Sequence, residues 1–359
     1  MAIETAAAQE GDHLALSRGI GSREAENHGL PLTRSGGAGQ GAPAPAAGGS
    51  TGLGPPAPCV LVHVFVTGAG GFVGRWLVPR LEHEGATVLG VDRELDVSQA
   101  DAVAEAVARA HPDAVVHLAA QSSVTAAAAD PAEAYRVNYL GTRAVLEAAR
   151  VHAPGARVLL VSSAQVYGSA PPGARPFDES APLRPRSAYD WTKAAGDLLG
   201  GAYGARGLHV VRVRPFNHTG AGQGPGFFAS AMARQIAEME AGKSPPVLVV
   251  GNLESVRDFL DVEDVVDAYV RLLRGAVPSG VYNVASGRGR TMREVLDLLL
   301  DRAALAPEIR VDQERFRPTD VSVGTAAKIH AATGWKPIRS LDDTLARLLD
   351  SWRAAVSGA

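Results

Sequence analysis

The apolar run at residues 60–66, Val-Leu-Val-His-Val-Phe-Val, passes directly into Thr67-Gly68-Ala69-Gly70-Gly71-Phe72-Val73-Gly74. A short apolar run rich in β-branched residues reads as a buried strand. Val73, Leu77, Val78 and Leu81 then recur at helical spacing. Between strand and helix, Gly68, Gly71 and Gly74 permit a tight turn and a close backbone approach to a pyrophosphate. The helix N-terminus adds free N–H groups and partial positive charge. Asp92 follows about 20 positions later, where a carboxylate completes a dinucleotide-binding pattern.

The same rhythm continues. Strands are expected at 87–91, 114–118, 157–162, 210–214 and 281–284, with helices near 101–110 and 131–150 between them. Alternating strands and helices predict an α/β fold with a doubly wound parallel Rossmann sheet. After Asn217 the rhythm breaks. Residues 220–226 read as loop, and helices are expected at 228–241, 262–274, 292–303 and 341–352. The expected organisation is a mainly NAD(P)-binding domain at 59–215 and a smaller mixed α/β C-terminal lobe at 216–359. That lobe would be mainly substrate-binding and interleaved with the sheet.

Residues 1–58 differ in kind. Residues 35–58 carry no charge, and 13 of these 24 positions are Gly or Pro. Such a stretch buries too little apolar surface to offset its ordering entropy. It reads as a disordered extension or as translated upstream sequence. The whole chain is 359 residues, 46% hydrophobic and 20% charged, with net charge −3, which suits a soluble protein and gives no field to draw nucleic acid or anionic membrane. The one cysteine, Cys59, excludes a disulfide framework and a cysteine-built zinc site; no metal is expected. No apolar run reaches the ~18 residues of a membrane span, and the first residues lack a secretory pattern. A cytoplasmic location is the expectation.

Chemistry is carried by Ser187-Ala188-Tyr189-Asp190-Trp191-Thr192-Lys193. Residues four apart share one helical face, so the Lys193 ammonium can act on the Tyr189 phenol. A free tyrosine titrates near ~10, and a nearby fixed cation favours phenolate. The segment Ser162-Ser163-Ala164-Gln165-Val166-Tyr167-Gly168 follows the fourth strand, at the sheet end where ligands bind, so Ser163 can enter the same cleft. Asp92 favours NAD through the adenosine ribose, while Arg93 beside it can accept the 2′-phosphate of NADP. Both cofactors stay open, with a lean to NAD. Asp96 suits either an adenine contact or a helix N-cap.

These segments, with His117-Leu118-Ala119-Ala120-Gln121, Asn138-Tyr139-Leu140-Gly141-Thr142 and Arg214-Pro215-Phe216-Asn217, resemble an extended short-chain dehydrogenase/reductase acting on nucleotide-sugars. Residues 214–223 and 250–259 resemble the branch of GDP-mannose 4,6-dehydratase and GDP-4-keto-6-deoxymannose reductase. Arg317-Pro318-Thr319-Asp320-Val321 resembles that branch's late diphosphate and ribose site, with Asp320 where Glu is expected.

The resemblance implies Ser163, Tyr189 and Lys193 as the catalytic group. It implies cofactor contacts from Gly68, Gly71, Phe72, Val73, Gly74, Asp92, Arg93, Asp96, Val97, Leu118, Ala119, Ala120, Tyr189 and Lys193. Substrate contacts would come from Gln121, Ser163, Gln165, Asn217, Phe228, Asn252, Arg257, Arg317 and Asp320. Guanidinium groups suit a diphosphate, although Arg257 equally suits an ion pair with Asp258 or Asp261. Asn138 would anchor a water that reprotonates Lys193, or serve structure alone. The family also implies a homodimer through helices carrying residues 135–149 and 189–201. The apolar spacing of Val137, Ala144, Val145 and Ala148 fits that face or the core.

Family dehydratases place a Glu two residues before the loop tyrosine, to take the C5 proton. Here that position is Gln165, and an amide accepts no proton at neutral pH. The expected activity is therefore NAD(P)H-dependent reduction of the C4 ketone of a nucleotide-linked 4-keto-6-deoxyhexose, GDP-4-keto-6-deoxymannose foremost. A 4-epimerase uses the same triad with no net cofactor use. Dehydratase chemistry and a non-catalytic dinucleotide sensor rank below it.

Overall fold

The computed structural model describes residues 61–303, 305–313 and 319–358. The stretch read as a disordered extension (1–58), Cys59 and the expected substrate contact Arg317 lie outside the described residues.

The first strand, β1 (His63–Thr67), begins where the Asp113 carboxylate accepts hydrogen bonds from the Val62 and His63 amides. Its side chains alternate between the faces of the sheet. Val64 and Val66 enter one apolar cluster and Phe65 enters another. Further strands are β2 (Thr87–Val91), β3 (Ala114–His117), β4 (Arg157–Val161) and β5 (His209–Pro215). The C-terminal region adds β6 (Asn217–Thr219), β7 (Val247–Val250), β8 (Val256–Asp261), β9 (Gly280–Val284), β10 (Gly289–Thr291), β11 (Glu308–Val311) and β12 (Val321–Ser322). The main sheet is parallel throughout, in the order β2-β1-β3-β4-β5-β9. Strand order reverses at the β1/β3 boundary, which opens a crevice at the carboxyl ends of the strands.

The helices are α1 (Gly74–His83), α2 (Ala100–Ala110), α3 (Val124–Ala129), α4 (Pro131–Tyr135), α5 (Gly141–His152), α6 (Ala188–Gly204), α7 (Phe228–Glu240), α8 (Val262–Arg274), α9 (Met292–Leu300), α10 (Ala327–Thr333) and α11 (Leu341–Ser357). Leu77 and Leu81 of α1 join Val265, Tyr269 and Leu272 of α8 under one face of the sheet. Val103 and Val107 of α2 join Val145 and Leu146 of α5 under the other.

The helix expected over 131–150 is interrupted. A π turn, residues Arg136–Leu140, separates α4 from α5. Asn138 lies inside it, and π turns of this kind recur at functional sites. On α5, Ala144, Val145 and Ala148 are buried, and Val137 packs against them. Their spacing is therefore intrachain core and carries no signal for a dimer. The exposed apolar side chains of this region are Tyr135, Val151, Trp191 and Leu198.

The C-terminal region has its own core, in which Met232 and Ile236 of α7 meet Leu296 of α9 and Leu345 and Leu349 of α11. It also carries β8, which pairs antiparallel with β10 and parallel with β6 and β12. β9, from the same stretch of sequence, returns to complete the main sheet beside β5. Among the described residues no helix is long and apolar enough to cross a membrane.

Candidate active site

A cleft of about 1210 Å³ lies at the sheet's carboxyl edge. Its glycine turn is sterically determined. Gly68 has φ +73°, and a Cβ there would stand 2.8 Å from the Ala119 amide nitrogen. A Cβ on Gly74 would collide with the carbonyl oxygens of Gly68 and Ala69. One on Gly70 would collide with the Asp92 carboxylate. The turn is thus pressed against the ends of β2 and β3, leaving a backbone cradle at the N-terminus of α1 that fits a pyrophosphate.

Gly68, Gly71, Phe72, Val73, Gly74, Asp92, Arg93, Asp96, Val97, Leu118, Ala119 and Ala120 all line this cleft. Arg93 makes no hydrogen bond or ion pair within the described residues. Asp96 caps its own turn: Oδ1 accepts from the Ser98 amide (3.0 Å) and hydroxyl (2.8 Å). Its Oδ2 accepts from Arg136 at 2.5 Å, and Glu133 grips the same guanidinium through both oxygens at 2.7 Å.

Tyr189, Lys193 and Ser163 meet across the cleft. The first two are set by the start of α6. Ser187 Oγ accepts from the Asp190 amide at 3.1 Å, and the Asp190 carboxylate accepts from the Ser187 amide at 3.1 Å. This capping box fixes the helical turn that places Tyr189 and Lys193 together. Ser163 begins the short turn Ala164–Tyr167 after β4, with Oγ accepting from the Gln165 amide at 3.2 Å.

The expected lowering of the Tyr189 phenol is overturned in this geometry. Burial pushes the phenol up, against the opposing pull of the Ser163 hydroxyl. Lys193 Nζ donates instead to the Val161 carbonyl at the end of β4, at 2.5 Å. Burial lowers the Lys193 pKa to about 8, while the Asp197 carboxylate one turn on works to raise it. Burial would raise Asp197 in turn, but Arg214 and Arg212 hold it low. Arg214 reaches both Asp197 oxygens, at 2.7 and 2.9 Å, and the Tyr167 hydroxyl at 3.0 Å. Asn138 Oδ1 accepts from the Gln121 amide at 2.8 Å, and its amide nitrogen donates to Thr192 Oγ1 at 3.0 Å. These bonds tie the loop after β3 to α6.

Of the expected substrate contacts, Gln121, Ser163, Gln165 and Asn217 line the cleft; Phe228, Asn252, Arg257 and Asp320 stand outside its wall. Phe228 packs into the C-terminal core, and Phe227 before it faces the cleft. Asn252 donates to Thr319 at 3.0 Å. The partner of Arg257 is Asp320, at 2.6 Å, rather than Asp258 or Asp261. Asp258 accepts from the Ser286, Gly287 and Gly324 amides, and Asp261 caps α8. Ser322 pairs with Arg257 across β12 and β8 and does line the cleft.

Sequence reasoning missed Arg75, His218, Gln223, Tyr269 and Ser322, all of which line the cleft. Arg75 donates to the carbonyls of Gly70 (3.2 Å) and Gly222 (3.0 Å). Trp76 Nε1 donates to the Ala221 carbonyl at 3.2 Å. His218 Nδ1 bonds the Phe216 carbonyl at 3.0 Å and must donate there, and burial keeps the ring neutral. The signal for His218 was its place beside Asn217. For Tyr269 the sequence offered only a helical core position.

The profile of the NAD dependent epimerase/dehydratase family matches residues 64–285. GDP-6-deoxy-D-mannose reductase of Pseudomonas aeruginosa is 38% identical over 82% of this chain and 98% of its own length. UDP-glucose 4-epimerase of Mycolicibacterium smegmatis is 30% identical over 81% of this chain and 99% of its own. The structure of RMD from Pseudomonas aeruginosa complexed with NADPH superposes with a TM-score of 0.76 at 36% identity, covering 82% and 98% of the two chains. Thermus thermophilus UDP-glucose 4-epimerase in complex with NAD gives 0.73 at 31%, covering 81% and 99%. With its glycine cradle, its Ser163/Tyr189/Lys193 cluster and these matches, the chain belongs to the NAD-dependent epimerase/dehydratase family of nicotinamide-dinucleotide enzymes.

Proposed function

We propose that this protein reduces the C4 ketone of a nucleotide-linked 4-keto-6-deoxyhexose, GDP-4-keto-6-deoxymannose foremost. The observation that carries this reading is Gln165 on the cleft wall beside Ser163. Among the described residues, the acidic ones lining the cleft are Asp92, Asp96 and Glu133. Asp92 ends the second strand, and the other two are paired with Arg136. Around Gln165 no carboxylate among the described residues lines the wall to take a proton from sugar C5, so elimination lacks its base there, while ketone reduction needs only a hydride and a proton. The 38% identity to a GDP-6-deoxy-D-mannose reductase supports the same substrate.

Bound NADPH or NADH supplies the hydride. Ser163 and Tyr189 hydrogen-bond the ketone oxygen, and Tyr189 donates its proton as that oxygen becomes an alkoxide. Its raised pKa keeps it a proton donor at neutral pH. Lys193 then offers a cation to the phenolate. Such positioned donors are worth several kcal/mol at a developing oxyanion. Arg93, unpaired among the described residues and two positions after β2, supports acceptance of the 2′-phosphate of NADPH. The C-terminal lobe, 216–359, supplies substrate contacts through Asn217 and the β8/β12 edge, and a cytoplasmic homodimer is the form in which we expect the enzyme to act.

The test is coupled absorbance and product analysis with GDP-4-keto-6-deoxymannose. One reduced nicotinamide is consumed per GDP-6-deoxyhexose formed. Interconversion of UDP-glucose and its C4 epimer with no net change in reduced nicotinamide, together with no turnover of the ketosugar, identifies a 4-epimerase, the reading favoured by the UDP-glucose 4-epimerase relatives.

A further inference from the structure

Tyr269 sits on α8, on the opposite side of the sheet from Tyr189. It is wholly buried and packs among Val66, Val213 and Val284 at the strand ends. It also lines the cleft. Its hydroxyl has no hydrogen-bond partner among the described residues. A buried hydroxyl left unpaired costs on the order of 1–3 kcal/mol, and buried polar groups are satisfied in the great majority of folded proteins. Burial pushes its pKa upward, and the proximity of Tyr189 adds to the shift, so the group is a neutral O–H. Tyr269 on α8 and Tyr189 on α6 both line the cleft.

A second atom in the same cleft shares the condition: Gln121 Oε1 is buried without a partner among the described residues. These two unmet side-chain atoms line the cleft that also holds Ser163, Tyr189 and Lys193.

We propose that Tyr269 is a positioning residue whose hydroxyl hydrogen-bonds the carboxamide of the nicotinamide ring. The inference rests on the proposed reduction only in placing that ring beside Tyr189. The carboxamide is the polar substituent of the ring, and its oxygen accepts from a neutral phenol. The contact fixes rotation of the ring about its glycosidic bond, and so the face presented to the ketone. A phenylalanine at 269 would fill the same space without that control.

The experiment compares wild type with Tyr269→Phe by tryptophan-quenching or calorimetric titration of two ligands. NADPH carries the carboxamide; 2′-phospho-ADP-ribose carries everything of the cofactor except the nicotinamide. Tyr269→Phe weakens NADPH about tenfold and leaves 2′-phospho-ADP-ribose unchanged. Loss of a hydroxyl unpaired in the free protein leaves its Tm equal or higher. Equal NADPH affinity in both proteins overturns the assignment, as does equal weakening of both ligands. Wild type that binds NADPH but reduces no ketosugar defeats the proposed reduction alone and leaves the Tyr269 contact standing. Should Tyr269→Phe not fold, Tyr269→Leu and wild type are titrated with NADPH and with its analogue lacking the ring carboxamide. A wild type that binds the two equally overturns the assignment.

Discussion

Lys193 shows how a side chain's chemistry is set by its neighbours rather than by its spacing. The four-residue interval to Tyr189 was legible, because helical geometry makes it so. The electrostatic outcome was not, since burial and the Val161 carbonyl are properties of packing. With a pKa of about 8, Lys193 is a cation below that pH and loses its charge as pH rises through it. The free enzyme's kcat/KM for ketone reduction should therefore fall above pH about 8, by about tenfold per pH unit where the cation is required. A pH–rate profile checks this, and a flat profile to pH 10 would falsify the cationic role. Arg257 gives the same lesson from another side: its neighbours in sequence, Asp258 and Asp261, serve amides and a helix start, and its partner arrives from β12's threshold at Asp320.

Among elements, the best-read ones carry a single uninterrupted local pattern. β2 and α8 begin and end where their periodicity does. The poorly read ones take their shape from a distant contact. The π turn at Arg136–Leu140 holds Asn138 against Gln121 and Thr192, which no local period encodes. β8 and β10 carry charged residues, β12 is only two residues long, and all three reveal themselves only through pairing. The glycine turn lies between these cases: its sequence announced the turn, and the packing explains why each glycine is required. Gly74→Ala would drive a methyl into the Gly68 and Ala69 carbonyls. The expected result is destabilisation of about 1–3 kcal/mol and weaker NADPH binding, measured by chemical denaturation and titration.

For the whole molecule, His117 is a pin between β1, β3 and α5. Its ring nitrogens bond Thr67 Oγ1 at 2.8 Å and Thr142 Oγ1 at 3.2 Å. Burial, with the Lys193 charge adding to it, lowers its pKa from 6.5 to about 3. The unfolded chain then binds the extra proton between those two values, so stability falls as pH falls through that window. From pH 6.5 to 5 the loss from this group is about 2 kcal/mol. Urea denaturation of wild type and His117→Gln across that range checks it: the variant should start less stable and lose less with acid. His209 and His218, also lowered by burial, leave a smaller common slope in both proteins.

The sixth strand of the central sheet is contributed by residues that follow most of the C-terminal helices' first half, and Arg75 and Trp76 of α1 are tethered to Gly222 and Ala221. The nucleotide half therefore has no clean place to be cut away. A chimera that borrows it from another protein at Pro215 would arrive with an open sheet edge beside β5 and an uncovered α1, so specificity in this architecture is exchanged by editing loops in place, not by swapping halves.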